Sequence, residues 1–210
     1  MANALEQISE AGVAVWLDDL SRERLKNNSL AKLIQEDSVV GVTTNPSIFS
    51  AAISKSDLYI NDITKNCEKT VEEIITTLTT DDVRNACDLF AQTFKDSNGV
   101  DGRVSIEVDP RFARDTKSTI DQGKDLWRII SRPNLLIKVP ATVEGLPAIT
   151  ELISQGISVN VTLIFSVNRY KQVLDAFTAG LEKRLASGKA ITDIYSCLLY
   201  TSDAADEEDS

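Results

Sequence analysis

The sequence contains no histidine. That absence removes Ser-His-Asp and Cys-His nucleophile systems, imidazole metal ligands and imidazole acid–base catalysis. Any chemistry must rest on carboxylates, amines, hydroxyls and amides. Cysteine is also scarce. Cys67, Cys87 and Cys197 stand at unrelated spacings, which reads as free thiols and not as a disulfide framework or a zinc site. No apolar run approaches the roughly 20 residues a membrane helix requires. The N-terminal MANALEQISEAG has neither a basic n-region nor a long apolar core, so it is not a secretory signal. A cytoplasmic protein with no membrane partner is expected. No GxGxxG or GxxxxGK(S/T) pattern follows a strand, so nucleotide-binding folds lose weight. Cations are outnumbered by acids, 22 to 32, giving a net charge of −10. That balance argues against a nucleic-acid partner, though a few local cations can still hold a phosphate.

What is present is ordinary for a globular chain: 210 residues, 42% hydrophobic and 26% charged, enough for one domain with a real core. Short β-branched runs alternate with segments of helical period. Strands are predicted at Val13–Leu17, Val39–Thr43, Arg103–Val108, Leu135–Val139 and Ser158–Ile164. Their near-continuous apolar character suits a parallel sheet covered on both faces. Helices are predicted at Ser29–Glu36, from Pro46, through an insert at about Leu58–Ser97, and at Asp115–Ile130 and Pro147–Gln155. In the insert, Val71, Ile74, Ile75 and Leu78, then Val83, Ala86, Cys87, Phe90 and Phe94, recur at three- and four-residue steps. A last helix carries Tyr170, Val173, Leu174, Phe177, Leu181 and Leu185 on one stripe, read as core. Repeated βα units with right-handed crossovers allow an open doubly wound sheet or a closed barrel. A barrel needs eight strands, and five are convincing.

The C-terminal stretch breaks the pattern. Ile191–Ser196 looks like the start of another strand, and CLLYTSDAADEEDS follows. Five acids and no base lie in those last 14 residues. Residues 1–196 are therefore taken as a partial barrel domain, and residues 197–210 as an acidic tail outside it. CLLYTSDAAD resembles the conceptual translation of a sequencing-library adapter, so the tail is expected to be non-native; the alternative is an authentic disordered tail.

Each strand ends in, or runs into, a polar group that a buried strand does not need: Asp18, Asn45, Glu107, Lys138, and Asn160 with Thr162. Catalytic groups of β/α barrels sit at such strand ends. Alternation puts Ser105 and Glu107 on one face of their strand, and Asn160 and Thr162 on one face of theirs. Lys138 lies among Leu135, Leu136, Ile137 and Val139, and lysine is almost never buried without a reason. An amine held away from water gives up its proton more readily, and the neutral amine attacks a carbonyl. The resulting iminium accepts electrons during C–C cleavage, so no metal or other cofactor is expected. The bland readings are equally concrete. Lys138 could snorkel to solvent or pair with Glu107. Asp18 could cap the helix begun by SRERL, a task open to Asp19 or Ser21 as well. Glu107 could pair with Lys138 or Arg103, and Asn45 could serve the turn before Pro46. Asn160-Val161-Thr162 also spells a glycosylation sequon, unsuited to a buried strand.

VWLDDLSRERL, VVGVTTNPSIF, GRVSIEVDPRFARDT, NLLIKVPAT and VNVTLIFS resemble transaldolase segments, in order and over about residues 10 to 190. The closest similarity is to the longer bacterial type. The resemblance implies an α/β fold, an incomplete TIM (β/α)8 barrel here, with about five of eight βα units. It implies a Schiff-base lysine at Lys138, an acid–base aspartate at Asp18, and a proton-relay glutamate at Glu107. It further implies Thr162 beside a catalytic water, and hydroxyl-binding asparagines at Asn45 and Asn160. The reaction implied moves dihydroxyacetone from sedoheptulose 7-phosphate to glyceraldehyde 3-phosphate, giving erythrose 4-phosphate and fructose 6-phosphate in the pentose phosphate pathway. Its partners would be phosphorylated ketoses and aldoses.

The family's next strand carries a serine and a nearby arginine for the substrate phosphate. SCLLYTS overtakes that position here, and no arginine follows. The expectation is an open barrel with unpaired edges and little or no turnover. Three alternatives stand beside the transferase: a Schiff-base aldolase releasing free dihydroxyacetone, a glycosidase using Asp18 and Glu107 as its carboxylate pair, and a non-catalytic fragment.

Overall fold

The computed structural model describes residues 4–198. They fall into two compact units, one of residues up to 104 with 130–134, the other of 105–129 with the residues from 135 onward.

In the first unit, α1 (Ala4–Glu10) buries none of its residues and leads into β1 (Val15–Leu17). α2 (Arg22–Lys26) starts where Ser21 accepts the Arg24 N–H on its hydroxyl. α3 (Ser29–Glu36) has the predicted bounds. β2 (Val39–Val42) runs parallel to β1, with Trp16 opposite Gly41 and Leu17 opposite Val42. Gly41 is needed there, because a Cβ would fall 2.4 Å from the Trp16 indole. α4 (Pro46–Lys55) opens on the proline, whose fixed φ and missing N–H suit the first helical position.

The long insert is three helices: α5 (Ile60–Lys65), α6 (Val71–Leu89) and α7 (Ala91–Asp96). A capping box sets the main break. Thr70 accepts the Glu73 N–H on its hydroxyl, while the Glu73 carboxylate accepts the Thr70 N–H at 2.9 Å. Burial along α6 begins only at Leu78 and continues through Val83, Ala86 and Cys87 to Phe90. Val71 and Ile75 are exposed, because the first two turns run past the core that the apolar spacing led one to expect. β3 (Arg103–Glu107) pairs in parallel with β2, Gly41 opposite Arg103. It passes from the first unit into the second between Val104 and Ser105.

The second unit repeats the βα pattern with α8 (Thr116–Ile130), β4 (Leu135–Pro140), α9 (Gly145–Ser154), β5 (Val159–Thr162), α10 (Val167–Ala186) and β6 (Ser196–Leu198). β4, β5 and β6 are parallel neighbours. Every residue of β4 is buried. Helices cover the face that carries Ile137: a Cβ on Gly123 of α8 would touch Ile137 and, at 3.1 Å, Leu152 of α9. Small residues bring α10 onto α9. Val173, Ala176 and Gly180 are buried, and the Thr150 hydroxyl donates to the Ala176 carbonyl at 2.9 Å. This corrects the reading of the last helix. Tyr170, Leu174 and Leu185 are exposed, because the helix docks by its small residues and turns part of the large apolar stripe outward.

Strand order follows chain order, β1 through β6. A doubly wound sheet reverses direction at a switch point, and this sheet does not. The chain is therefore an α/β protein with the winding of a (β/α)8 barrel, six parallel strands being formed. The sixth includes Cys197 and Leu198, two residues beyond the boundary expected at 196. The remainder of the expected tail, from residue 199, lies outside the described residues.

Candidate active site

Lys138 occupies the fourth position of β4 on the face opposite Ile137, and so away from α8 and α9. It is 1% exposed. Its Nζ lies 3.3 Å from Oε2 of Glu107, whose side chain is 16% exposed. The amine is thus dry while its carboxylate partner keeps contact with solvent. Lys138 and Asn160 are cross-strand neighbours, as are Pro140 and Thr162. Asn160 is fully buried, which rules out the sequon reading, and its Nδ2 donates to Ser105 Oγ at 3.2 Å. That bond joins β5 to β3 over the top of β4. Neighbouring strands are spaced about 4.8 Å apart, so two short side chains can meet across an intervening strand only where this part of the sheet curves toward them. Ser105, Glu107, Lys138 and Asn160 consequently share one concave face of the second unit. Thr162, half-buried at the end of β5, points to the same side as Asn160 by alternation and accepts the Ala141 N–H on its carbonyl at 2.9 Å.

Arg103, the other cation considered for Glu107, turns to the Gly99 carbonyl through Nε at 2.9 Å and through its Nη2, and stacks on the Phe94 ring. The lysine–glutamate pairing is therefore the alternative that the side chains adopt. By itself it fits an ion pair and a proton relay equally well.

The first unit holds Asp18 and Asn45. Asp18 directly follows β1, beside the point where the Thr43 N–H donates to the Leu17 carbonyl. The capping task at the start of α2 is taken by Ser21, and Asp19 binds Arg24 at 2.6 Å. Asp18 lines a cleft of about 430 Å³ with Asp19, Glu23, Ile48 and Lys55 among its walls. Asn45 does have the turn-and-cap role: its Oδ1 accepts the Ile48 N–H at 2.8 Å and opens α4. That bond uses the carbonyl end of the amide.

Two features escaped the sequence reading. Ser105 was placed on the Glu107 face, but its bond to Asn160 depends on sheet curvature, which no local pattern encodes. The other is a buried ionic cluster around Arg22. Asp82 is fully buried, accepting Arg22 Nε at 2.9 Å on Oδ1 and the Tyr59 hydroxyl at 2.7 Å on Oδ2. One signal was available, since Asp82 falls four residues from both Leu78 and Ala86, in the core phase of α6. Among the described residues no group of three or more Cys, Asp and Glu side chains is arranged to hold a metal ion, and no helix is long and apolar enough to cross a membrane.

A family model described as transaldolase/fructose-6-phosphate aldolase matches residues 15–196. Curated proteins named transaldolase are similar over nearly the whole chain. That of Mycolicibacterium smegmatis is 55% identical over 206 residues, covering 97% of this chain and 56% of the relative. Those of Mycobacterium ulcerans and Mycobacterium tuberculosis are 53% and 52% identical, each covering 97% of this chain and 55% of the relative. The chain thus spans about half the length of the curated relatives it matches. With a match that runs from the first residue of β1 to the first of β6, the chain belongs to the transaldolase/fructose-6-phosphate aldolase family.

Proposed function

We propose that the chain carries the Schiff-base site of a cytoplasmic transaldolase, which transfers a dihydroxyacetone unit between sugar phosphates of the pentose phosphate pathway. The observation that carries this reading is Lys138, an amine almost wholly excluded from water, beside a partly solvated carboxylate and a buried amide, in a chain of this family. In the proposed sequence Lys138 Nζ attacks the ketose carbonyl carbon, and the carbinolamine loses water to give an iminium. Asp18 takes the proton from the hydroxyl on C4. The C3–C4 bond breaks, its electron pair enters the iminium as an enamine, and an aldose phosphate departs. The enamine then adds to an acceptor aldehyde, and water releases the new ketose. Glu107, touching both the amine and solvent, suits the relay of protons while the imine forms and hydrolyses, with Thr162 holding the water involved. Asn45 and Asn160 offer amide groups to sugar hydroxyls. The iminium is the electron sink, so the scheme calls for no cofactor. The substrates proposed are sedoheptulose 7-phosphate and glyceraldehyde 3-phosphate, with erythrose 4-phosphate and fructose 6-phosphate as products.

A second reading, an aldolase that releases free dihydroxyacetone, draws support from the family description, which spans both activities. Release measured against transfer to erythrose 4-phosphate separates them. A glycosidase carboxylate pair would leave the buried amine without a task.

Borohydride reduction with fructose 6-phosphate, followed by peptide mapping, tests the common step. The expected result is a covalent adduct on Lys138 and none in Lys138→Ala; an undiminished adduct in that variant would end the proposal. Trapping reads carbonyl capture alone. Turnover is a separate measurement.

A further inference from the structure

β3 ends at Glu107, the carboxylate that meets Lys138. Beyond it the Val108 N–H still donates to the Lys138 carbonyl at 3.2 Å. The next N–H, of Asp109, donates instead to a side chain, Oε1 of Gln122 on α8, at 2.6 Å. A backbone N–H only donates, so the amide oxygen of Gln122 is the end that receives it. The Asp109 carboxylate is engaged elsewhere: it accepts the Arg111 N–H at 2.9 Å and holds the Arg111 guanidinium. α8 is a firm anchor. A Cβ on its Gly123, next to Gln122, would fall 3.1 Å from Leu152 and 3.5 Å from Ile137, the residue before Lys138. The loop is tied once more at Ala113, whose carbonyl accepts the Thr142 hydroxyl at 2.6 Å. The chain leaving Glu107 is thus fastened both to α8 and to the turn that follows the lysine's strand.

We propose that Gln122 is a positioning residue for Glu107: by holding the Asp109 N–H it fixes the exit of β3, and with it the 3.3 Å approach of the Glu107 carboxylate to Lys138 Nζ. This rests on the Schiff-base reading and adds to it the residue that aims the relay. Gln122 acts through the backbone of β3 and need not touch the sugar. Aim matters because proton transfer requires heavy atoms about 2.6–3.2 Å apart, or one water between them.

The experiment measures borohydride-trapping rates with fructose 6-phosphate at subsaturating concentration. Gln122→Met, similar in size but without the acceptor, should lower the rate about tenfold, part of what acid–base catalysis contributes. Gln122→Glu keeps an oxygen for the Asp109 N–H and should stay within about twofold of the unaltered protein. Glu107→Gln removes the relay, and in that background Gln122→Met should change nothing further, since residues acting as one unit are not additive. Thr119→Val is the control. It removes another bond between α8 and the same loop, from the Thr119 hydroxyl to the Phe112 carbonyl, and should leave the rate unchanged. The proposal is overturned if Gln122→Met traps sugar at the unaltered rate, if its loss multiplies with that of Glu107→Gln, or if Thr119→Val loses as much. A Gln122→Met chain that does not fold overturns it too, by assigning the bond to stability. No adduct in the unaltered protein is a different failure, that of the Schiff-base reading. The NMR resonance of the Glu107 carboxyl carbon then decides the positioning: a shift in Gln122→Met that Gln122→Glu lacks supports it, and one position in all three forms overturns it.

Discussion

Each unit buries a cation against a carboxylate, and the two pairs are built differently. In the first unit Arg22 meets Asp82 through Nε and Asp62 through Nη1 at 2.6 Å, and its guanidinium lies 4.4 Å from the Tyr59 ring centroid. The Tyr59 hydroxyl accepts the Arg22 backbone N–H at 2.9 Å and donates to Asp82. Both oxygens of Asp82 are therefore occupied. In the second unit Lys138 approaches Glu107 at 3.3 Å, and an open amide oxygen lies on the neighbouring strand. Arginine offers a rigid fork and is always charged; lysine is a point charge on a flexible stem that can give up its proton. A buried cation that holds helices together is well served by the first, and one that must become a nucleophile requires the second. Burial pushes the Asp82 carboxyl upward against the lowering from Tyr59 and Arg22, and it pushes the Tyr59 hydroxyl upward too. The Asp82 bonds hold Arg22 above its ordinary value although burial pulls the other way.

Substitutions should separate these two uses of buried charge. The largest expected effect is on capture: Lys138→Met combined with Glu107→Leu should bring sugar trapping to background while stability holds or rises by about 1–4 kcal/mol, as apolar replacement of buried ion pairs often does. A clear fall in the denaturation midpoint would mean that this pair, too, is structural. Next, Asp82→Ala leaves a buried guanidinium without its main partner and should cost about 3–5 kcal/mol in chemical denaturation. The pH dependence follows from the direction of the Asp82 shift. Its carboxyl ionises later in the folded chain than in the unfolded one. Its contribution to stability is thus fullest at low pH and falls as pH rises from the ordinary carboxylate range through the folded value. That component should vanish from the stability–pH curve of Asp82→Asn.

Asn45 caps α4 and is proposed to meet the sugar, and two variants divide these roles. Asn45→Asp keeps a capping oxygen for Ile48 and should fold normally while capturing sugar more slowly. Asn45→Ala should lose about 1 kcal/mol of stability as well. Equal stability of the two variants would show that the cap contributes nothing measurable. The smallest effect expected is at a thiol. Burial, the main cause, pushes Cys87 up to about 12, and thiolate is the reactive form. Exposed Cys67 should react with a disulfide reagent in the native protein, and Cys87 only after unfolding; rapid labelling of Cys87 would mean that the packing of α6 opens easily.

Much of this was legible in the letters, for reasons that particular elements make plain. β4 was readable because six consecutive residues are buried on both faces, which demands an unbroken apolar run; against it a lysine stands out. α3 and the start of α4 were readable because their ends are set by local chemistry. α10 was read only in part: Val173 of its apolar stripe is buried as expected, but the stripe gives the period of a helix and not its docking face, and Ala176 and Gly180 dock by being small. The Arg22 cluster joins α2, the turn at Tyr59 and α6, across separations of 37 and 60 residues, and no window of sequence spans them.

Residue chemistry alone determined that this chain must work without imidazole, that its strands are buried, and which polar groups interrupt them. Those are properties of composition and of period-two alternation, carried by neighbours along the chain. Tertiary structure decided which partner each polar group takes: Glu107 for Lys138, Ser105 for Asn160, Tyr59 and Arg22 for Asp82. Hydrogen bonds and ion pairs act over a few ångströms in space, and only the folding of distant strands onto one another brings those atoms within reach.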